Sequence, residues 1–125
     1  MSAVQVVEAL KAAGLPIGKV IVYNAENDPN KLLGRPGQYT EKVSWEDARL
    51  EQVDPEDPEG GTVEVFARPE DLAARRSYLE QVTKAAPMFQ QYMFEAGNVL
   101  MRVSFDLTPD QAKQYEAVLQ GLAER

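Results

Sequence analysis

Tyr92-Met93-Phe94-Glu95-Ala96-Gly97-Asn98-Val99-Leu100-Met101-Arg102-Val103 decides the fold. Gly97-Asn98 is a two-residue hairpin signal, because glycine at the first central position of such a turn tolerates the positive φ found there. A turn at that point sets Phe94 opposite Met101 and Tyr92 opposite Val103 on one face, so turn chemistry and apolar pattern agree on one antiparallel register. A protein built around this hairpin needs further strands beside it and helices to cover it.

Both flanks supply helices. C-terminal to the hairpin, Thr108-Pro109-Asp110-Gln111 combines an N-cap, a first-turn proline and a capping-box glutamine. Ala112, Tyr115, Val118, Leu119 and Leu122 then form an apolar helical stripe. N-terminal to the hairpin, Pro69-Glu70-Asp71 opens a helix that runs to about Ala86 before Pro87, with Leu72, Leu79, Val82 and Ala86 as its buried side. Thr62–Phe66 reads as a strand ahead of that helix.

Further upstream, Asp54-Pro55-Glu56-Asp57-Pro58-Glu59-Gly60-Gly61 combines prolines, glycines and like charges with little to bury, which predicts a mobile acidic connector at about 51–61. Glu41–Asp47 alternates, with Val43 and Trp45 inward and Lys42, Ser44 and Glu46 toward water. Residues 24–40 are rich in Asn, Gly and Pro; Asp28-Pro29 is expected to cap a short turn carrying Leu32 and Leu33 up to Gly34. The β-branched run Lys19–Tyr23 predicts a central strand buried on both sides. Ser2 and Gln5 have capping-box spacing, and Ala3, Val6, Val7, Leu10 and Ala13 predict a first helix ending at Gly14. The expected fold is α+β: one domain spanning 1–125, in the order α-β-β-β-α-β-β-α, with a mainly antiparallel sheet of four to five strands and three helices packed on one face.

A chain of 125 residues buries about two-thirds of its unfolded surface, enough for a core without staples. There is no cysteine or histidine, so disulfides, thiolate metal sites, thiol nucleophiles and the commonest general base are excluded. Ser44, Ser77 and Ser104 have no imidazole to activate them, and no Gly-x-Ser-x-Gly elbow or Ser-x-x-Lys motif occurs. Asn24, Glu26 and Asp28 alternate like calcium-loop ligands, but Pro29 and Arg35 stand where that loop requires glycine and a bidentate glutamate. Gly34-Arg35-Pro36-Gly37 lacks the spacing and lysine of a phosphate loop. A carboxylate pair acting as acid and base stays open as a third reading, but among 20 acidic residues the sequence nominates no two. No catalytic residue, metal ligand or cofactor is therefore named, and no stretch is apolar enough for a transmembrane segment.

The net charge of −7 is concentrated between Glu46 and Glu59, where seven acidic side chains face Arg49 alone. Such a surface repels phosphate backbones, so direct nucleic-acid binding is not expected. Most aromatics fall at strand or helix spacing and read as core. Tyr39 is the exception, at the end of a Gly/Pro loop, and is expected at the surface.

The segments Leu33–Val43, Gly61–Ala67, Gly97–Arg102 and Leu107–Gln111 together resemble an uncharacterised family of small bacterial lipoprotein-like proteins. The resemblance covers most of the chain and brings no catalytic or ligand-binding residue with it. It implies a cell-envelope domain anchored outside the cytoplasm where a lipoprotein signal precedes it, and a cytoplasmic one otherwise. The function expected from these observations is a non-enzymatic binding module that recognises a protein or small molecule through the 34–40 loop, with Arg35, Gln38 and Tyr39 as contacts. The alternative is an acidic inhibitor or nucleic-acid mimic, of a phage or mobile-element kind, acting through residues 46–59.

Overall fold

A computed structural model describes residues 1–124. Its elements are α1 (Ala3–Ala12), β1 (Ile17–Val22), β2 (Glu41–Asp47), β3 (Gly60–Val65), α2 (Pro69–Ala85), a 3-10 turn (Pro87–Phe89), β4 (Gln91–Ala96), β5 (Val99–Ser104) and α3 (Pro109–Ala123). The five strands form one antiparallel-paired sheet in the order β1-β2-β3-β5-β4. This is the α+β order read from the sequence. The hairpin register is also the expected one: Phe94 faces Met101, Tyr92 faces Val103, and Gly97 takes the positive φ of +57° that its turn requires. No helix among the described residues is long and apolar enough to cross a membrane.

Capping residues set the helix starts. The side chains of Ser2 and Thr108 each accept a hydrogen bond from the backbone N–H three residues on, and the side chains of Gln5 and Gln111 accept one from the backbone N–H of the cap residue, completing both capping boxes. The two helices so fixed, α1 and α3, cover one face of the sheet. Their Val6, Leu10, Tyr115 and Leu119 pack on Val43, Trp45, Val63, Met101 and Val103 in the main core.

Helix α2 does not join them, which corrects the expectation of three helices on one face. It follows β3 and leads into β4, crosses over β5, and packs on the opposite face through a smaller cluster of Leu72 with Tyr39, Phe66 and Leu100. The reason lies in its stripe. Between Leu72 and Leu79, at helical spacing, stands Arg75, and it is Leu72 and Arg75 that α2 buries; Leu79 and Val82 are half-buried. A stripe interrupted by a guanidinium cannot enter the apolar core, but it fits the other side of the sheet, where charged side chains await it.

Three strand expectations are also corrected. β1 is an edge strand, not a central one, with an irregular register between Ile17 and Val20 and exposed residues at Gly18, Lys19 and Val22. β2 does not show a face to water, because Lys42 and Ser44 are covered by the 24–40 loop and by neighbouring side chains. β3 starts at Gly60 rather than Thr62, since Gly60 and Gly61 pair with Glu46 and Trp45 and so extend the ladder. The acidic connector is fastened at its neck: the Gln52 side chain accepts from the Glu59 N–H at 2.9 Å and donates to the Glu59 carbonyl at 2.8 Å.

Candidate functional site

Strand alternation decides which side chains meet on the second face of the sheet. Lys42 is paired with Glu64, Ser44 with Thr62, Thr62 with Arg102, and Arg102 with Met93, so a polar band crosses β2, β3 and β5 before giving way to Met93 on β4. Ser44 and Thr62 hydrogen-bond to each other at 2.8 Å. Glu64 is fully buried and accepts from two arginines: Nε and Nη2 of Arg75 at 3.2 and 3.3 Å, and Nη2 of Arg102 at 3.0 Å. Gln91 Oε1 accepts from Arg102 Nη1 at 3.2 Å, and Arg102 Nε is buried with no partner among the described residues.

The 24–40 loop closes one side of this band. Asp28 is buried, as a capping residue whose carboxylate accepts from the backbone N–H groups of Leu32 and Leu33, each at 3.0 Å. The short turn expected after Asp28-Pro29 is thus held by that carboxylate. Asp28 also accepts from the Tyr39 hydroxyl at 2.6 Å and from Lys42 Nζ at 3.2 Å. Burial pushes the Asp28 carboxyl up, but the bonds from Tyr39, Leu32 and Leu33 and the charge of Lys42 outweigh it and hold the group well below the usual carboxylate range. Lys42 goes the other way: burial lowers its ammonium, against the opposing pull of Asp28 and Glu64.

Tyr39 is therefore not the surface aromatic expected from its loop position. It is fully buried, edge-on to Phe66 with ring centroids 6.2 Å apart, and it packs beneath the guanidinium of Arg75. The loop ends in a tyrosine because the tyrosine anchors it. Arg35, by contrast, is exposed, and Gln38 is half-buried. The three residues expected to act together differ in placement: Tyr39 is internal, Gln38 lines the cleft described next, and Arg35 is exposed and not part of that lining. A Tyr39→Ala change would damage the fold before it reported on binding.

Above the polar band lies an open cleft of 680 Å³, floored by Lys42, Ser44, Thr62 and Arg102 and walled by Leu79, Val82 and the Pro87–Phe89 turn. A second lobe of 660 Å³ lies between α2 and the loop and is lined by Gln38, Arg75 and Tyr78. Arg102, Asn30, Leu79 and Val82 line both lobes. At the far end of the first lobe stand Asp57, Glu59 and Asp106. Burial, with the charges of Asp57 and Asp106, raises the Glu59 carboxyl above its ordinary value.

Sequence reasoning places Lys42 in water, reads Arg75 with Arg76 as a solvated helix face, and does not single out Glu64 or Arg102; Arg75 is instead buried against Glu64. Parity puts Lys42, Glu64 and Arg102 on one face, since all alternate with core residues, and an arginine interrupts the stripe of the helix that follows, but nothing local says that this face is covered. The acidic segment also proves less uniform than its composition. Asp47 is buried, bonded to Arg49 at 2.8 Å and to the Tyr115 hydroxyl at 2.6 Å, and so is withdrawn from the surface that an acidic decoy would present.

In comparisons with protein-family models, curated proteins and solved structures, nothing matches this chain.

Proposed function

We propose that this domain is a non-enzymatic binding module that takes a small ligand in the cleft between the polar face of the sheet, α2 and the 24–40 loop. The observation that carries the reading is Arg102 at the junction of the two lobes, held in place by Glu64 and Gln91 yet with its buried Nε–H unpartnered among the described residues. Small-molecule sites are concave, mostly pre-formed, and carry a few convergent polar groups against apolar walls; this cleft has that make-up and falls in the usual size range. The 34–40 loop contributes through Gly37 and Gln38, at the rim of the second lobe.

Binding rather than turnover is favoured by the chemistry of the floor. The hydroxyls of Ser44 and Thr62 bond to each other, and the chain offers neither an imidazole nor a thiol to activate an attack.

The test is a fragment titration of the 15N-labelled protein followed by amide shifts. Fragments are expected to move Ser44, Thr62, Gln91 and Arg102 together. If shifts instead gather at Arg35 or along 51–59 and never at the cleft floor, the site has been misplaced.

A further inference from the structure

The geometry points to a ligand that carries one negatively charged group on an apolar body, with the charged group against Arg102 and the apolar part along α2 and the Pro87–Phe89 turn. This rests on the reading of the cleft as a binding site and adds the chemical class of its occupant.

Charge comes first. Lys42, Arg75 and Arg102 stand beside Asp28 and Glu64, so the group holds one more cation than anion inside a chain whose net charge is −7. Two guanidinium groups share the one Glu64 carboxylate, and among the described residues the only other acceptor on Arg102 is the neutral amide of Gln91. A largely buried cation in excess of its counter-charges is costly, and a ligand anion relieves that cost. Arginine is suited to this role because its planar fork presents paired N–H groups to a carboxylate or phosphate.

The neighbours of Arg102 then divide the ligand into two parts. Across the ladder on one side is Thr62, whose hydroxyl shares a single hydrogen bond with Ser44, so that one hydroxyl hydrogen of the pair is left to donate to an anion. On the other side is Met93, which leads to Leu79 and to the turn. On that turn Met88 is 84% and Phe89 60% exposed, apolar surface that the fold itself leaves uncovered. The orientation is set by Glu59, three residues from Thr62 and hence about 10 Å away at the strand rise. With Asp57 and Asp106 beside it, Glu59 repels an anion from the far end of the cleft.

The experiment compares decanoate, decanol and decyltrimethylammonium, three probes with one tail and different heads, by amide shifts of Thr62, Met93 and Arg102. Decanoate is expected to bind about tenfold or more tightly than either of the others, the scale of one charge-assisted contact. Arg102→Gln is expected to abolish that advantage. Because Arg102 also supports Glu64, a second pair of variants on the exposed turn keeps the test independent of folding. Met88→Glu and Met88→Lys remove the same apolar contact and differ in charge, so decanoate should bind the glutamate variant several-fold more weakly than the lysine variant. Equal affinities in that pair, or decanol binding as tightly as decanoate at the same amides, would overturn the anionic class and leave the cleft as a binding site. Silence of all three probes would also overturn it, and the fragment titration then decides the fate of the cleft separately.

Discussion

Tyr39 donates its hydroxyl hydrogen to Asp28 at 2.6 Å in a place where neither side chain meets solvent. The bond ties the end of the 24–40 loop to its beginning and brings the Asp28 carboxylate to Lys42. Tyr39→Phe keeps the ring against Phe66 but deletes one donor to a buried carboxylate, so the unfolding free energy should fall by about 1–3 kcal/mol. Urea denaturation of the two proteins measures it. A variant as stable as the parent would mean that the loop is held by ring packing alone.

Acid should destabilise the protein through two carboxylates. Asp28 and Asp47 both lie below the ordinary range when folded: burial raises each, and hydrogen bonds outweigh it, chiefly from Tyr39 to Asp28 and from Arg49 to Asp47. In the unfolded chain these groups take up protons at about pH 4, whereas in the folded state they stay ionised to lower pH. Below about pH 4 the unfolded state therefore binds more protons, and stability present at neutral pH is lost as pH falls. Denaturant unfolding at a series of pH values from 6 to about 2.5 should show that slope, and Asp28→Asn should make it shallower.

Two tyrosines should resist ionisation. Burial pushes the hydroxyls of Tyr39 and Tyr115 above the usual tyrosine range, and their bonds to Asp28 and Asp47 push the same way. An alkaline absorbance titration is expected to show a late step that shrinks in Tyr115→Phe. Its absence would place water at one of those hydroxyls.

Gly61 is required by the indole of Trp45. A Cβ at that position would fall inside the Trp45 ring system and close to the Arg102 carbonyl, and the sheet pairing on both sides leaves the backbone no room to retreat. Gly61→Ala should cost about 1–3 kcal/mol as an overpacking change, read as a drop in the urea midpoint. An unaltered midpoint would show that Trp45 has a second rotamer available, despite its stacking on Tyr115 at 5.7 Å.

What could be read from the sequence was what is settled within a few residues. The Gly97-Asn98 turn, both capping boxes and the proline start of α2 depend on neighbours in the chain, and each stands where its residues place it. What could not be read depends on distant partners. Glu64 meets Arg75 and Arg102, 11 and 38 residues away, and no local rule says that a charge alternating with valines is buried rather than wet. The same holds for Tyr39, whose burial depends on Asp28, Phe66 and Arg75 arriving from three different segments. The face chosen by α2 followed from Arg75, and so the cleft itself was hidden until the far side of the sheet had been assembled.

The clasp of Gln52 on Glu59 bears on how this protein can be engineered. A side-chain amide closes the neck of the acidic excursion, and beyond that neck the residues meet the sheet through the Lys19 ammonium, which donates to the Pro55 carbonyl at 2.9 Å, and carry no strand of their own. Doubling the length of such a loop adds only about 0.6 kcal/mol of closure entropy. Val53–Pro58 is therefore a place to graft an epitope, a fluorophore-bearing peptide or a pair of new chain ends. Cargo there would sit beside Asp57 and Glu59, at the acidic mouth of the cleft, where it could report occupancy without touching Arg102.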